Sequence, residues 1–357
     1  MAYQINEKVR SLTPYDPIEG DYPIRLDANE SFLPITQEER AALQAAAERV
    51  DLRRYPDPLA RRLCTAAGEY YGVLPEFITA GNGLDEILSL LASAFLPKGS
   101  RLLCFECDFS MYAFYGCLAE ADCVRLPRRA DYSIDVAALL AALEASRPAL
   151  LLFSNPCNPT SLVLPRGDIR RIIRAAEKSN TLVALDEAYM DFSNQSLLGE
   201  FAQYDNLVLL RTCSKAAGLA GLRLGFAFAG HALTKTLRAV KSPYNVGALT
   251  QAAGEALLKN GERLQSAIAQ IKRSRAALSQ GLRKLAVQFP GRLAVVGDEA
   301  NFVFVQMECA QAAFEALKGK GIIVRCFGAA LRITAGSAEE NAALLSNLEL
   351  FLRQDRI

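Results

Sequence analysis

Apolar residues along the chain alternate between two periods, and each switch of period marks an element boundary. A spacing of three and four predicts helices over 59–71, 85–95, 111–119, 134–145 and 168–178. Short apolar runs bounded by turn formers predict strands over 77–79, 101–105, 122–126, 149–153 and 181–185. Helix and strand therefore take turns, as in an α/β domain with a mostly parallel sheet flanked by helices. Such sheets bind ligands beyond the carboxyl ends of their strands.

Outside that region the pattern changes. Residues 1–35, rich in Pro, Asp and aromatics, show no sustained period and read as an extended arm. Thr36 and Glu39 form a capping box that opens a helix to residue 50, and Arg54-Tyr55-Pro56-Asp57-Pro58 breaks it. Strands are expected over 207–210 and 222–228, a helix over 232–241, a break at Ser242-Pro243-Tyr244-Asn245, and one long helical span over 248–286. Shorter segments follow, with strands at 301–306, 322–325 and 330–333 and helices at 310–320 and 339–353. The expected organisation is an N-terminal arm (1–35) associated with the small domain, a large domain (36–245), and a smaller α+β domain (246–357) that includes the long connecting helix.

One stretch breaks the polarity rule. Residues 206–228 read NLVLLRTCSKAAGLAGLRLGFAF, and they set Lys215 between two buried-looking strands. Lysine is almost never fully buried without a partner. Either Lys215 only looks buried, or something there requires an amine.

Composition narrows the partners. Forty basic residues stand against 39 acidic, so no global field draws the chain to nucleic acid or an anionic membrane, and small molecules are the expected partners. No apolar run has the length of a spanning helix and the first residues lack a secretory signal, so the expected location is the cytoplasm. Nine cysteines at irregular spacing read as reduced thiols. Cys104 and Cys107 match C-x-x-C, but they close a strand-like run, where such side chains face opposite ways, and no second pair completes a zinc site. No metal is expected.

Polar chemistry gathers at five strand ends. Ala80-Gly81-Asn82-Gly83-Leu84-Asp85-Glu86 opens a helix, where glycines admit a ligand and the free amides suit phosphate; taken alone, it equally reads as an ordinary turn. Asp108, Phe109 and Tyr112 offer aromatic cover for a flat ring, or simply core aromatics. Asn155-Pro156-Cys157-Asn158-Pro159-Thr160 projects amides from a rigid loop. Asp186-Glu187-Ala188-Tyr189 ends a buried strand in carboxylates, which need a bound cation or a structural arginine. The fifth end carries Ser214, Lys215 and Arg223.

One ligand accounts for all five. Pyridoxal phosphate needs a lysine for its aldehyde, a carboxylate for its pyridinium nitrogen, and a helix start with an arginine for its phosphate. A Ser or Cys nucleophile would need a base, and His231 is the single histidine. Neither G-x-G-x-x-G nor a P-loop occurs.

These segments, in this order, resemble the fold type I aminotransferases, most closely the histidinol-phosphate aminotransferase group. The resemblance runs from Leu12-Thr13-Pro14-Tyr15 and LDANES through RYPDP, GNGLDE, NPCNPT, LDEAY and RTCSKAAGLAGLRLGF to EANFVFV and LRITAG. It implies an α/β fold with a large cofactor-binding domain and a smaller α+β domain. It makes Lys215 the Schiff-base lysine and proton carrier, Asp186 the partner of the pyridine nitrogen, and Asn158 and Tyr189 the holders of the ring oxygen. The amides of Leu84 and Asp85, with Ser214 and Arg223, would hold the phosphate, Gly83 would border the cofactor, and Phe109 would stack on the ring. Tyr55 would reach the phosphate of the other subunit, which implies a homodimer with shared sites. Arg332 would grip a substrate carboxylate, with Arg325, Tyr15 and Asn29 on the substrate side.

The sequence departs from the group at several points. Phe109 replaces a usual tyrosine, Ser161 the usual glycine after NPT, and Glu106-Cys107 a usual proline pair. The connection from Arg325 to Arg332 is short. The expected activity is ping-pong transfer of an amino group from a small-molecule donor, an amino acid or histidinol phosphate, to a 2-oxo acid. A decarboxylase of the threonine-phosphate type and a non-catalytic cofactor-binding protein stand as the alternatives.

Overall fold

The computed structural model describes residues 3–10, 12 and 18–354. A one-turn helix α1 (Glu7–Arg10) and a two-residue strand β1 (Ile24–Arg25) precede α2 (Gln37–Glu48), whose start is the expected capping box. There Thr36 Oγ accepts from the Glu39 amide at 3.2 Å and the Glu39 carboxylate accepts from the Thr36 amide at 2.8 Å. Helix α3 (Arg61–Tyr71) then leads into alternating strands and helices. These are β2 (Ile78–Gly81), α4 (Gly83–Phe95), β3 (Arg101–Phe105), α5 (Met111–Leu118), β4 (Asp122–Leu126) and α6 (Val136–Ser146), then β5 (Leu150–Ser154), α7 (Arg166–Lys178) and β6 (Leu182–Asp186). Helix α7 shows why the pattern was readable. It buries Ile169, Ile172, Ile173 and Ala176 on one face and leaves Arg170, Arg171 and Arg174 outside.

Strands β7 (Leu207–Thr212) and β8 (Gly225–Ala229) complete a seven-stranded sheet of order β2-β8-β7-β6-β5-β3-β4. All pairings are parallel except those of β8, which runs against both β7 and β2. The β7–β8 connection, 213–224, contains no crossover helix, so the chain turns straight back and an antiparallel neighbour results. Residues 222–224 are not strand, contrary to expectation. Ala220–Leu222 form a 3-10 turn and Arg223 sits in the left-handed region at φ 50°. Strands β5 to β8 are buried throughout, with apolar clusters on both faces of the sheet.

After α8 (His231–Val240) the expected single helix is two, α9 (Ala248–Leu258) and α10 (Gly261–Gln288). Asn260 makes the break, because its side chain accepts from the Arg263 amide and caps the new helix. Strand β9 (Leu293–Gly297), absent from the sequence expectation, joins β10 (Phe302–Met307). Helix α11 (Ala310–Lys318), β11 (Ile322–Ile323), β12 (Arg325–Cys326), β13 (Ala330–Thr334) and α12 (Ala338–Gln354) follow. Strands β12-β13-β10-β9 form an antiparallel sheet packed on α10, α11 and α12. The arm is tied in here, since β1 pairs with β11 and Leu26 enters this core.

Candidate active site

The parallel strands bring their carboxyl ends to one edge of the large sheet. Ser154 on β5 lies opposite Asp186 on β6, and Thr212 on β7 opposite Gly225, itself opposite Gly81 on β2. Above this edge is a cavity of about 310 Å³ lined from the large sheet, the arm and β13.

Asp186 forms its floor. Of the two carboxylates expected at this strand end, Glu187 takes the structural arginine: buried Arg211 Nε donates to buried Glu187 at 3.0 Å, and Arg211 Nη1 to half-buried Asp191 at 2.7 Å. Asp186 instead accepts hydrogen bonds from the Ala188 amide (2.9 Å) and the Tyr112 hydroxyl (2.8 Å). Burial pushes its pKa up to about 6, against the pull of those donors.

Lys215 stands between β7 and β8, half-buried, with Nζ donating to the Ala28 carbonyl at 2.9 Å. Desolvation first, then the nearby Arg332 cation, lowers its pKa to about 8. The packing anomaly in the sequence is thus an amine that gives up its proton more readily than an ordinary lysine.

A third feature is the start of α4, which no side chain of Asn82 caps. Gly83 has φ 80°, and a Cβ there would lie 2.7 Å from Arg223 Nη2. A Cβ on Gly225 would lie 2.9 Å from the Leu84 amide nitrogen. Two glycines therefore let the Arg223 guanidinium and the β8 backbone close on a helix N-terminus, a cradle suited to an anion. Arg223 donates to Asp85 at 2.9 Å, and Ser214, beside them, bonds Thr212.

The chain matches the family described as aminotransferase class I and II over residues 23–348. It belongs to that family. Among its relatives, the histidinol-phosphate aminotransferase of Clostridium novyi (strain NT) is 35% identical over 343 residues, 95% of this chain and 94% of that one. The histidinol-phosphate aminotransferase 1 of Carboxydothermus hydrogenoformans is 37% identical over 347 residues, 96% and 97% of the two chains. The solved histidinol-phosphate aminotransferase of Sinorhizobium meliloti, in complex with pyridoxal-5'-phosphate, shares the fold at TM-score 0.86 and 24% identity, with 99% of each chain covered. The L-threonine-O-3-phosphate decarboxylase of Porphyromonas gingivalis shares it too, at TM-score 0.78 and 21% identity over 92% of this chain and 99% of that one.

In this aminotransferase the cavity brings together Lys215, Asp186, Tyr189, Leu84, Asp85, Phe109, Asn158, Ser214, Arg223, Asn29 and Arg332. Asn158 accepts from Arg332 Nη1 at 2.6 Å, and Tyr189 accepts from Asn29 at 2.9 Å. Arg332 also donates to the Asp27 carbonyl and lies over the rings of Phe302 and Phe327, each at 5.5 Å. Gly83 lies just behind the lining, under Arg223. Arg325 does not line the cavity; it sits opposite Arg332 in the β12–β13 ladder. Tyr55 is 81% exposed and stacks on Tyr244 at 4.5 Å, away from this chain's own cavity. Tyr15 lies outside the described residues.

Two site residues, Ser154 and Thr212, escaped the sequence, and a third was read for its ring alone. Tyr112 reads as ring cover, whereas its hydroxyl is bonded to Asp186. Ser154 and Thr212 are the last residues of β5 and β7 and line the floor, a position the strand pattern could have supplied. Among the described residues no cluster of His, Cys, Asp or Glu is arranged to hold a metal, and no helix is long and apolar enough to cross a membrane.

The residues present fit pyridoxal phosphate. An amine of lowered pKa faces the cavity, a buried carboxylate at the strand end has no ion pair among the described residues, and a glycine-lined helix start with an arginine forms an anion cradle.

Proposed function

We propose that this aminotransferase moves an amino group between an amino acid or histidinol phosphate and a 2-oxo acid, in two half-reactions run in one cavity. Relatives of nearly equal length that carry the histidinol-phosphate aminotransferase name support the donor. When bound, pyridoxal phosphate supplies the aldehyde that receives the amino group and a ring that takes up the electrons left on the substrate α-carbon.

The observation that carries this reading is the placement of Lys215, Asp186 and Arg332 in a single cavity with opposed charge needs. Lys215 Nζ is the catalytic base: with its pKa lowered to about 8 a fraction of the amine is neutral and accepts a proton, and the resulting ammonium is acidic enough to give it back. Asp186 holds a positive charge on the ring nitrogen. Tyr189 and Asn158 orient the ring oxygen and Phe109 covers the ring face. The amides of Gly83, Leu84 and Asp85, with Ser214 and Arg223, hold the phosphate. Arg332 binds the substrate anion, and its planar fork accepts a carboxylate or a phosphate equally well. Arg325, opposite it in the ladder, adds positive charge on the same side, and Asn29 borders the substrate space.

The enzyme works as a homodimer in this reading. Tyr55, Leu52 (74% exposed), Tyr244 and Leu249 make an exposed apolar edge that a second copy covers, and Tyr55 then reaches that copy's phosphate cradle. We assign the arm to the C-terminal half and place the division near residue 245. The balanced charge and free thiols fit a cytoplasmic enzyme acting on small molecules.

The test is a panel of amino acids and histidinol phosphate mixed with the cofactor-loaded protein. Histidinol phosphate should bleach the bound cofactor's visible absorbance, and addition of a 2-oxo acid should restore it. Release of carbon dioxide from a phosphorylated amino acid, without amino transfer, would replace this reading with the decarboxylase one.

A further inference from the structure

Behind the cofactor floor lies a polar group of side chains to which the catalytic roles above give no task. Asp108 and Arg128 form an ion pair at 3.0 Å with both side chains buried. Ser154 Oγ donates to Asp108 and accepts from the Asn158 amide at 3.1 Å. Tyr112, among the most deeply buried large side chains, donates its hydroxyl to Asp186 at 2.8 Å. Its ring also meets Phe109 edge to face at 5.6 Å. One side chain therefore touches both the carboxylate assigned to the ring nitrogen and the aromatic assigned to the ring face.

We propose that Tyr112 is a positioning residue that fixes the Asp186 carboxylate in its ionised form against the cofactor ring nitrogen. The inference rests on the pyridoxal phosphate reading of this cavity.

The physical case is a balance at Asp186. Burial disfavours the charged carboxylate, and so do two other carboxylates, Asp108 from the loop before α5 and Asp85 from α4. Two donors oppose them, the Tyr112 hydroxyl and the Ala188 amide. Glu30 from the arm, Tyr189 from the turn after β6, Lys215 and Arg223 from the β7–β8 connection, and Arg332 from β13 complete the titratable and charged groups of the cavity. Of the two donors, Tyr112 comes from a different element, α5, and so locks the carboxylate's rotation as well as its charge. A hydrogen bond to a charged group in a buried site is among the stronger ones.

Tyr112→Phe removes the hydroxyl and keeps the ring that packs on Phe109. Asp186 then takes up its proton at a higher pH, so the variant loses cofactor affinity where the wild type still holds it. Relative to wild type, the dissociation constant for pyridoxal phosphate should rise about tenfold at pH 5.5 and return to near parity at pH 8.5, as a pKa rise of about one unit requires. The second arm uses 1-deazapyridoxal phosphate, which has no ring nitrogen, and here the variant and wild type should bind alike at both pH values. A variant that weakens both compounds equally, or whose loss is the same at both pH values, overturns the proposal and leaves Tyr112 a packing residue. Failure of the wild type to bind pyridoxal phosphate at all would overturn the cofactor reading itself.

Discussion

At the cavity floor Asp186 is held by Tyr112 and by the amide two residues on, and Ser214 by Thr212, all from the strands of one sheet and the segments that directly follow them. At the rim Asn29 bonds Thr334 across 305 positions, Arg332 bonds the Asp27 carbonyl across the same distance, and Tyr189 meets Asn29 across 160. The floor is thus set by one sheet edge, whereas the rim exists only once arm, large sheet and C-terminal sheet have met. A floor built in this way is preorganised for a resident cofactor. A rim assembled from three segments is where a substrate that comes and goes is best recognised.

Floor and rim substitutions therefore separate by readout. Lys215→Ala gives the largest effect, a loss of roughly 10³-fold or more in single-turnover amino transfer, because the proton carrier is gone. The amine also predicts a pH dependence. Its pKa is lowered, so below about 8 it is mainly ammonium, and capture of pyridoxal phosphate by cofactor-free protein should speed up as pH rises through about 8. For the cofactor-free fold the sign is the same. The folded chain releases this proton at a lower pH than the unfolded chain, so stability rises between about 8 and the ordinary lysine value of 10.5. Lys215→Met should abolish that rise in a denaturant titration.

Arg332→Met comes next. It should lower kcat/KM for the amino donor by about 100-fold, the scale of a charge-assisted bidentate contact, while the affinity for pyridoxal phosphate changes less than about threefold. An equal loss in cofactor affinity would show that the Arg332–Asn158 bond makes the rim part of the floor. Gly83→Ala should do the reverse. At φ 80° a side chain costs about 1–2 kcal/mol and its Cβ displaces Arg223, so cofactor affinity falls by about tenfold with the substrate KM unmoved.

The same contrast explains what the sequence could disclose. Floor residues sit at the ends of apolar runs, so Leu182–Asp186 announces a buried strand that closes on a carboxylate, and GNGLDE a helix start after a glycine turn. Lys215 is conspicuous because everything around it is apolar or small. The rim has no such local signature. Strand β1 is two residues long and exists only by pairing with β11, and nothing near Asn29 names Thr334 as its partner. The Tyr112 hydroxyl was hidden for a like reason, since its partner lies 74 residues away. The break between α9 and α10 is a different matter: the Asn260-Gly261 pair signals it, and the helical period on both sides conceals it.

The finest test lies at the seam between floor and rim, at Ser161, where a glycine is usual. Ser161 has φ 58°, a conformation unfavourable for a side chain, and it is fully buried. Its hydroxyl explains the choice, because it donates to the Phe302 carbonyl at 3.1 Å and accepts from the Ala300 amide at 2.7 Å. The loop that carries Asn158 is thereby fastened to the start of β10. Nearby, a Cβ on Gly297 would lie 2.2 Å from the Thr160 carbonyl, so the two segments are already in close contact. Ser161→Ala keeps the backbone strain and strands the Ala300 amide, at a cost of about 1–3 kcal/mol. Ser161→Gly strands the same amide but relieves the strain, so it should be the milder change by about 1 kcal/mol. Thermal unfolding of the cofactor-free protein should rank them wild type, then Gly, then Ala. Because the fastening sets where the rim stands over the floor, Ser161→Ala should also raise the donor KM a few-fold and leave cofactor affinity in place. A ranking with Gly below Ala would mean that the flexibility gained in the unfolded chain outweighs the strain removed, and that Ser161 is held by its surroundings rather than holding them.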